Sequence, residues 1–362
     1  MITKNKIVKI IELAKKCNEC ALHHFREFDN KLLSYKDDNS PLTDADIKVN
    51  EMAVTGLQKL FPNVEIISEE FYNSKFIFKN KNYFWLIDPI DGTKEFINKR
   101  PNFTVNFALI KHNSPIFGLI AQPTTGTIWY NFNNKAWKLD KDQDFKSSQI
   151  IQCKGINYKK LRTLSSFNHR SKELEDWMSF VKPISDQNVG SSIKFCYLAE
   201  GKVDFYPRTS PTMEWDIAAG HSILKSAGGN VISDSGIEIK YGKTKFQNDI
   251  FLAHGKTQNI PNTFLIKLKN INSFSLISSP LTRAKETSEP LSKKINVSVS
   301  INPLFAEIPS PGINLSERKE WLQKIFKMKI SDLEMPQKKW KDSIITELKN
   351  LDKPTIIFSH FM

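Results

Sequence analysis

One stretch, WLIDPIDGTKEFI at 85–97, restricts this chain more than any other. An apolar run suited to a buried strand meets Asp88, and Pro89, which cannot donate to a ladder, predicts that pairing ends there. Asp88 and Asp91 then sit on the turn leaving the strand, where loops carried by a rigid sheet commonly do chemistry. Two carboxylates so placed repel and raise a pKa unless a divalent cation with oxygen ligands lies between them. Residue chemistry alone also allows a turn held by Asx hydrogen bonds. Gly92-Thr93 adds N–H groups that can face an anion, with a hydroxyl beside them. Glu69-Glu70 follows the apolar run VEIIS, and Asp216 falls in the first turn of an expected helix. Together these are acidic positions at element ends, drawn from distant segments, as a site of three or four carboxylates requires.

The 362 residues are about twice what one domain needs, so two cores are expected. No apolar run reaches the roughly 18 residues of a membrane span. Four cysteines in so long a chain point to a reducing compartment. The cytoplasm is the expected location, with a peripheral position at the inner membrane left open. The net charge of +13 comes from 45 Lys and only 7 Arg spread along the chain, which predicts a solvated surface and no nucleic-acid partner.

Helical spacing of Ile7, Ile10, Ile11 and Ala14 predicts a first helix over 6–28. A second, after Ser40-Pro41, would bury Val49, Met52, Ala53, Gly56, Leu57 and Leu60. FWLI at 84–87, TVNFALI at 104–110, PIFGLIA at 115–121 and TIWYN at 127–131 read as an antiparallel meander. A third helix is bracketed by Thr209-Ser210-Pro211-Thr212 and Gly228-Gly229. The connector TQNIPNT at 257–263 marks the expected boundary, giving domains 1–256 and 257–362. Cys17-x-x-Cys20 lacks a second ligand pair and reads as helix packing.

ISEE at 67–70, WLIDPIDGTKEF at 85–96 and WDIAAG at 215–220 together resemble the inositol monophosphatase superfamily of metal-dependent phosphatases. SPLTDAD at 40–46, SSFNHR at 165–170 and VGSSIKFCYLAEGKVDFYPR at 189–208 are similar to its bacterial 3'(2'),5'-bisphosphate nucleotidases, as is Lys94-Glu95 after DGT. The resemblance implies an α/β (α+β) fold with layered α/β/α/β sugar-phosphatase architecture. It also implies two or three Mg2+ ions held by Glu69, Asp88, the Ile90 carbonyl, Asp91 and Asp216. Glu69 and Thr93 would activate water, with Asp46 as an outer carboxylate. Asp91, Gly92, Thr93, Lys94 and Asp216 would meet the substrate, and His169, Ser191, Lys194 and Arg208 the nucleotide. The activity implied is hydrolysis of adenosine 3',5'-bisphosphate to AMP and phosphate, as sulfate assimilation requires. An inositol monophosphatase or broad sugar-phosphate phosphatase is the alternative, and a scaffold with a partner-recruiting C-terminal segment is the non-enzymatic one.

LISSPLTRAKETSEPL at 276–291 and TIIFSH at 355–360 resemble a second family, the histidine phosphatases of the phosphoglycerate mutase type. The Arg of the nucleophilic motif is replaced by Ala253 in AHG at 253–255, and the chain ends two residues after His360. The expectation is an incomplete α/β segment without that activity, His254 being structural.

Overall fold

A computed structural model of the chain describes residues 2–28, 34–35, 41–72, 82–166, 171–268, 275–295, 297–306, 308–314, 316–351 and 355–359. His169 and His360 lie outside the described residues. The chain divides into two compact units, Met1–Lys269 and Asn270–Met362.

The first unit opens with helices α1 (Lys4–Glu27) and α2 (Asp44–Leu60). Thr3 caps α1, its hydroxyl accepting from Lys6 N. On α2, Val49, Ala53 and Leu57 are buried, whereas Met52, Gly56 and Leu60 are only half-buried, so the buried stripe is narrower than expected. The two helices cover one face of a seven-stranded sheet that follows chain order. Its strands are β1 (Glu65–Ser68), β2 (Tyr83–Asp91), β3 (Thr104–Lys111), β4 (Ser114–Gln122), β5 (Thr127–Phe132), β6 (Lys135–Leu139) and β7 (Gln149–Ile151). The expected meander is present, extended by two strands at one edge and by β1, which pairs parallel to β2, at the other.

Alternation decides what each face meets. Trp85, Ile87, Val105, Phe107 and Leu109 turn toward α1 and α2, and Phe84, Leu86, Ala108 and Ile110 turn the other way. There they meet α5 (Ile193–Ala199) and α6 (Glu214–Ser226). A Cβ on Gly118 of β4 would lie 2.2 Å from the carbonyl oxygen of Ala219, so this glycine lets α6 lie directly on the sheet.

A second sheet lies beyond these helices, in the order β9 (Ser185–Asn188), β8 (Arg162–Ser165), β10 (Phe205–Arg208), β12 (Phe251–His254), β11 (Asn230–Ser233). Tyr206, Val231 and Phe251 face α5 and α6, while Phe205, Ile232 and Leu252 join an outer cluster with Trp177 and Leu268. The outer cluster is closed by α4 (Lys172–Val181) and α7 (Asn262–Leu268). The layers are therefore α/β/α/β as expected, with a further helical layer outside the second sheet.

Helix α7 corrects the expected boundary. It follows the connector at 257–263 yet packs into the first unit, where Trp177 Nε1 donates to the Phe264 carbonyl at 3.0 Å. His254 ends β12 and is buried, with Nδ1 2.8 Å from the Gly255 carbonyl. Cys17 is buried in α1, and burial pushes its thiol up to about 12.

The second unit holds β13 (Ser275–Ser278), α8 (Thr282–Ile295), β14 (Val299–Ile301), α9 (Arg318–Lys327), α10 (Met335–Lys349) and β15 (Thr355–Phe358). Its three strands run parallel in the order β14-β13-β15. No helix among the described residues is long and apolar enough to cross a membrane.

Candidate active site

The acidic positions meet where β1, β2 and α6 end or begin. Glu69 directly follows β1, its N–H donating to the Ile87 carbonyl of β2 at 3.1 Å. Asp88 lies in β2 at 1% exposure, and Asp216 in the first turn of α6. Carboxylate oxygens of Glu69, Asp88 and Asp216 all lie within 4.8 Å of one another. Three hard oxygen donors at this separation suit a divalent cation, and without one they repel.

Pro89 does not end the ladder. Strand β2 continues to Asp91, pairing Asp88 with Asn106 and Asp91 with Thr104. Three steps on β2 thus oppose two on β3, a bulge that absorbs the proline and turns Asp91 toward α5. Asp91 Oδ2 accepts from the N–H of Ser192 at 2.6 Å and from Asn106 Nδ2 at 3.2 Å. Asp91 is therefore not one of the clustered three. Burial, despite neighbouring Lys194, raises its carboxyl above the usual range. Asp216 is raised well above it by burial and by the charges of Asp91 and Glu69, although Met213 N donates to its Oδ2 at 2.8 Å.

After the bulge Gly92 takes φ +94°, a left-handed conformation that suits glycine, and starts α3 (Thr93–Ile97). The Thr93 hydroxyl donates to the Ile90 carbonyl at 3.2 Å. Lys94 is exposed, whereas Glu95 is buried and grips Arg100 through two hydrogen bonds of 2.6 and 2.9 Å.

A cavity of about 220 Å³ opens over these elements. It is lined by Glu69, Asp91 and Asp216, by Gly92, Thr93 and Lys94, and by Ser191, Lys194 and Arg208. Ser191 adopts φ +50°, at the turn into α5. Lys194 is buried, donating to the carbonyls of Val189 at 3.1 Å and Ser191 at 2.6 Å, with its ammonium 5.0 Å from the Tyr206 ring centre. Burial, outweighing nearby Asp91, lowers its pKa to about 8. Asp46 stands apart from the cavity wall. At position N3 of α2, its Oδ2 accepts from Thr43 N at 2.8 Å and Thr43 Oγ1 at 2.6 Å, and burial raises its pKa to about 7.

Sequence reasoning missed a buried polar chain behind Asp91. Thr104 donates to the Ser192 hydroxyl at 2.8 Å, which donates to Asn106 Oδ1 at 2.7 Å, leaving the Asn106 amide for Asp91. The available signal was Asn106 itself, an amide inside the apolar run TVNFALI.

Residues 4–259 match the inositol monophosphatase family. The chain is 37% identical over 257 residues to the 3'(2'),5'-bisphosphate nucleotidase CysQ of Buchnera aphidicola, covering 70% of this chain and 94% of that protein. It is 36% identical over 206 residues to the CysQ nucleotidase of Escherichia coli K12, covering 57% and 81%. Among solved structures it is similar to CysQ from Bacteroides thetaiotaomicron, a bacterial member of the same family. The TM-score is 0.59 at 30% identity, with 70% of this chain and 98% of that one covered.

Proposed function

This chain belongs to the inositol monophosphatase family, and we propose that it is a Mg2+-dependent 3'(2'),5'-bisphosphate nucleotidase hydrolysing adenosine 3',5'-bisphosphate to AMP and phosphate. The observation that carries this reading is the convergence of Glu69, Asp88 and Asp216 beside a cavity that Lys194 and Arg208 also line. In this reading two or three Mg2+ ions are held by Glu69, Asp88, the Ile90 carbonyl, Asp91 and Asp216. Bound Mg2+ offsets phosphate charge and makes a coordinated water more acidic.

The chain's own groups do the rest. Thr93, whose proton goes to the Ile90 carbonyl, offers its oxygen lone pairs to orient the attacking water, and Glu69 takes the proton. Asp46 supports them from the outer shell. The N–H groups of Gly92 and Thr93, with Lys94, hold the scissile phosphate. Arg208 grips the second phosphate, assisted by Ser191, His169 and the one Lys194 donor not used by Val189 and Ser191.

Phosphate release from adenosine 3',5'-bisphosphate, its 2',5' isomer and inositol 1-phosphate, with Mg2+ and with EDTA, tests this. Efficient metal-dependent release from the bisphosphates is expected. Preference for inositol 1-phosphate, or full activity in EDTA, refutes it.

A further inference from the structure

Glu214 has no part in the mechanism above, yet its side chain is buried at 0% exposure two residues from Asp216. A carboxylate taken wholly out of water is costly unless donors replace its hydration. Here the donors come from one loop. Gly242 N donates to Oε2 at 2.7 Å, and Lys243 donates to Oε1 through its backbone N at 3.0 Å and its ammonium at 3.3 Å. Gly242 makes this possible by taking φ +85°, which brings two successive N–H groups to bear on one side chain.

The same loop is tied at both ends. Phe246 accepts from Glu214 N at 2.7 Å, and Thr212–Met213 pairs antiparallel with Gln247–Asn248. On the other side Tyr241 N donates to the Asn113 carbonyl at 3.0 Å, and Asn113 Nδ2 donates to the Tyr241 carbonyl at 2.7 Å. Asn113 lies in the turn between β3 and β4, in the sheet that carries Asp88. Residues 241–248 therefore span from that sheet to the first turn of α6. Asp216 depends on that turn for its orientation, since Met213 N holds its Oδ2.

We infer that Glu214 is a positioning residue for Asp216: through Gly242 and Lys243 it keeps the α6 carboxylate in register with those of the sheet. The inference rests on the metal-site reading above. Partners behind a metal ligand typically alter affinity by about ten- to a hundredfold when lost.

The test is a calorimetric titration of Mg2+ into the full-length, nucleotide-free protein. Glu214→Gln should weaken Mg2+ binding by about tenfold. Its nucleotide KM at saturating Mg2+ should stay within about twofold of wild type, and excess Mg2+ should restore kcat. Lys243→Ala keeps both backbone donors and should weaken Mg2+ binding by about two- to threefold, deciding the matter if Glu214→Gln does not fold. Unchanged Mg2+ affinity in a folded Glu214→Gln protein that merely melts lower would reduce Glu214 to a stabilising role. Unchanged affinity in Asp216→Asn would instead remove the metal-site reading itself.

Discussion

Ending the chain at residue 261 rather than 269 removes α7, and the outer cluster measures the consequence. Leu268 is 0% and Leu265 8% exposed in the fold, and Phe264 packs against them with Trp177, Phe205 and Leu252. Full burial of such a side chain contributes about 1.5–3 kcal/mol, so two buried leucines and a half-buried phenylalanine sum to about 5 kcal/mol after allowing for a compact unfolded state. Trp177 also loses the Phe264 carbonyl as acceptor for its indole N–H. A domain of this size has about 5–15 kcal/mol in total, so about a third or more of the margin is at stake. At about 2–4 °C per kcal/mol, residues 1–261 should melt about 10–20 °C below residues 1–269 in a calorimetric scan. Residues 1–269 should retain bisphosphate hydrolysis, whereas 1–261 should lose it on mild warming. Melting points within about 3 °C of each other would show that α7 is not part of the first core.

Asp88→Asn should cut turnover by orders of magnitude while raising the melting point in EDTA, because it relieves repulsion among three carboxylates within 4.8 Å. Retention of more than about a tenth of wild-type activity would contradict its placement among the metal ligands. Burial raises Asp46 from 3.8 to about 7, so its contribution is complete below the lower value and is lost as pH climbs to the upper one. Denaturant midpoints of the metal-free protein at pH 5 and 7 should therefore show a decline that Asp46→Asn reduces; an identical slope in the variant would refute it. Arg208→Ala should lower kcat/KM for the bisphosphate about ten- to hundredfold and spare inositol 1-phosphate. Lys194→Met should lower both, because it also releases the Val189 and Ser191 carbonyls in the segment whose Ser192 N–H holds Asp91; a loss confined to the bisphosphate would assign Lys194 to the second phosphate alone.

What the sequence determined by itself was whatever short-range pattern controls. Helix spacing from Ile7 to Ala14, the apolar run from Phe84 to Ile87 and the Gly228-Gly229 breaker after 214–226 are local, and each reappears in the fold, whereas the N-cap of that helix is Met213 rather than a residue of 209–212. The carboxylates were legible for a related reason: acidic residues at the ends of apolar runs are costly to leave uncompensated, and their motif spacing matched a known family. Other features came only with tertiary structure. Pro89 forbids one donor, but the ladder resumes at Asp91 because a bulge in the proline's own strand absorbs the defect. The polar connector at 257–263 looked like a boundary, but Trp177 and Phe205, far away in sequence, give the next helix an apolar surface to cover. Neighbouring acids likewise diverge: Glu214 turns to donors almost thirty residues on, while Asp216 turns to Glu69 and Asp88. Burial and partner choice depend on what the rest of the chain brings to a position, and residue spacing does not encode that.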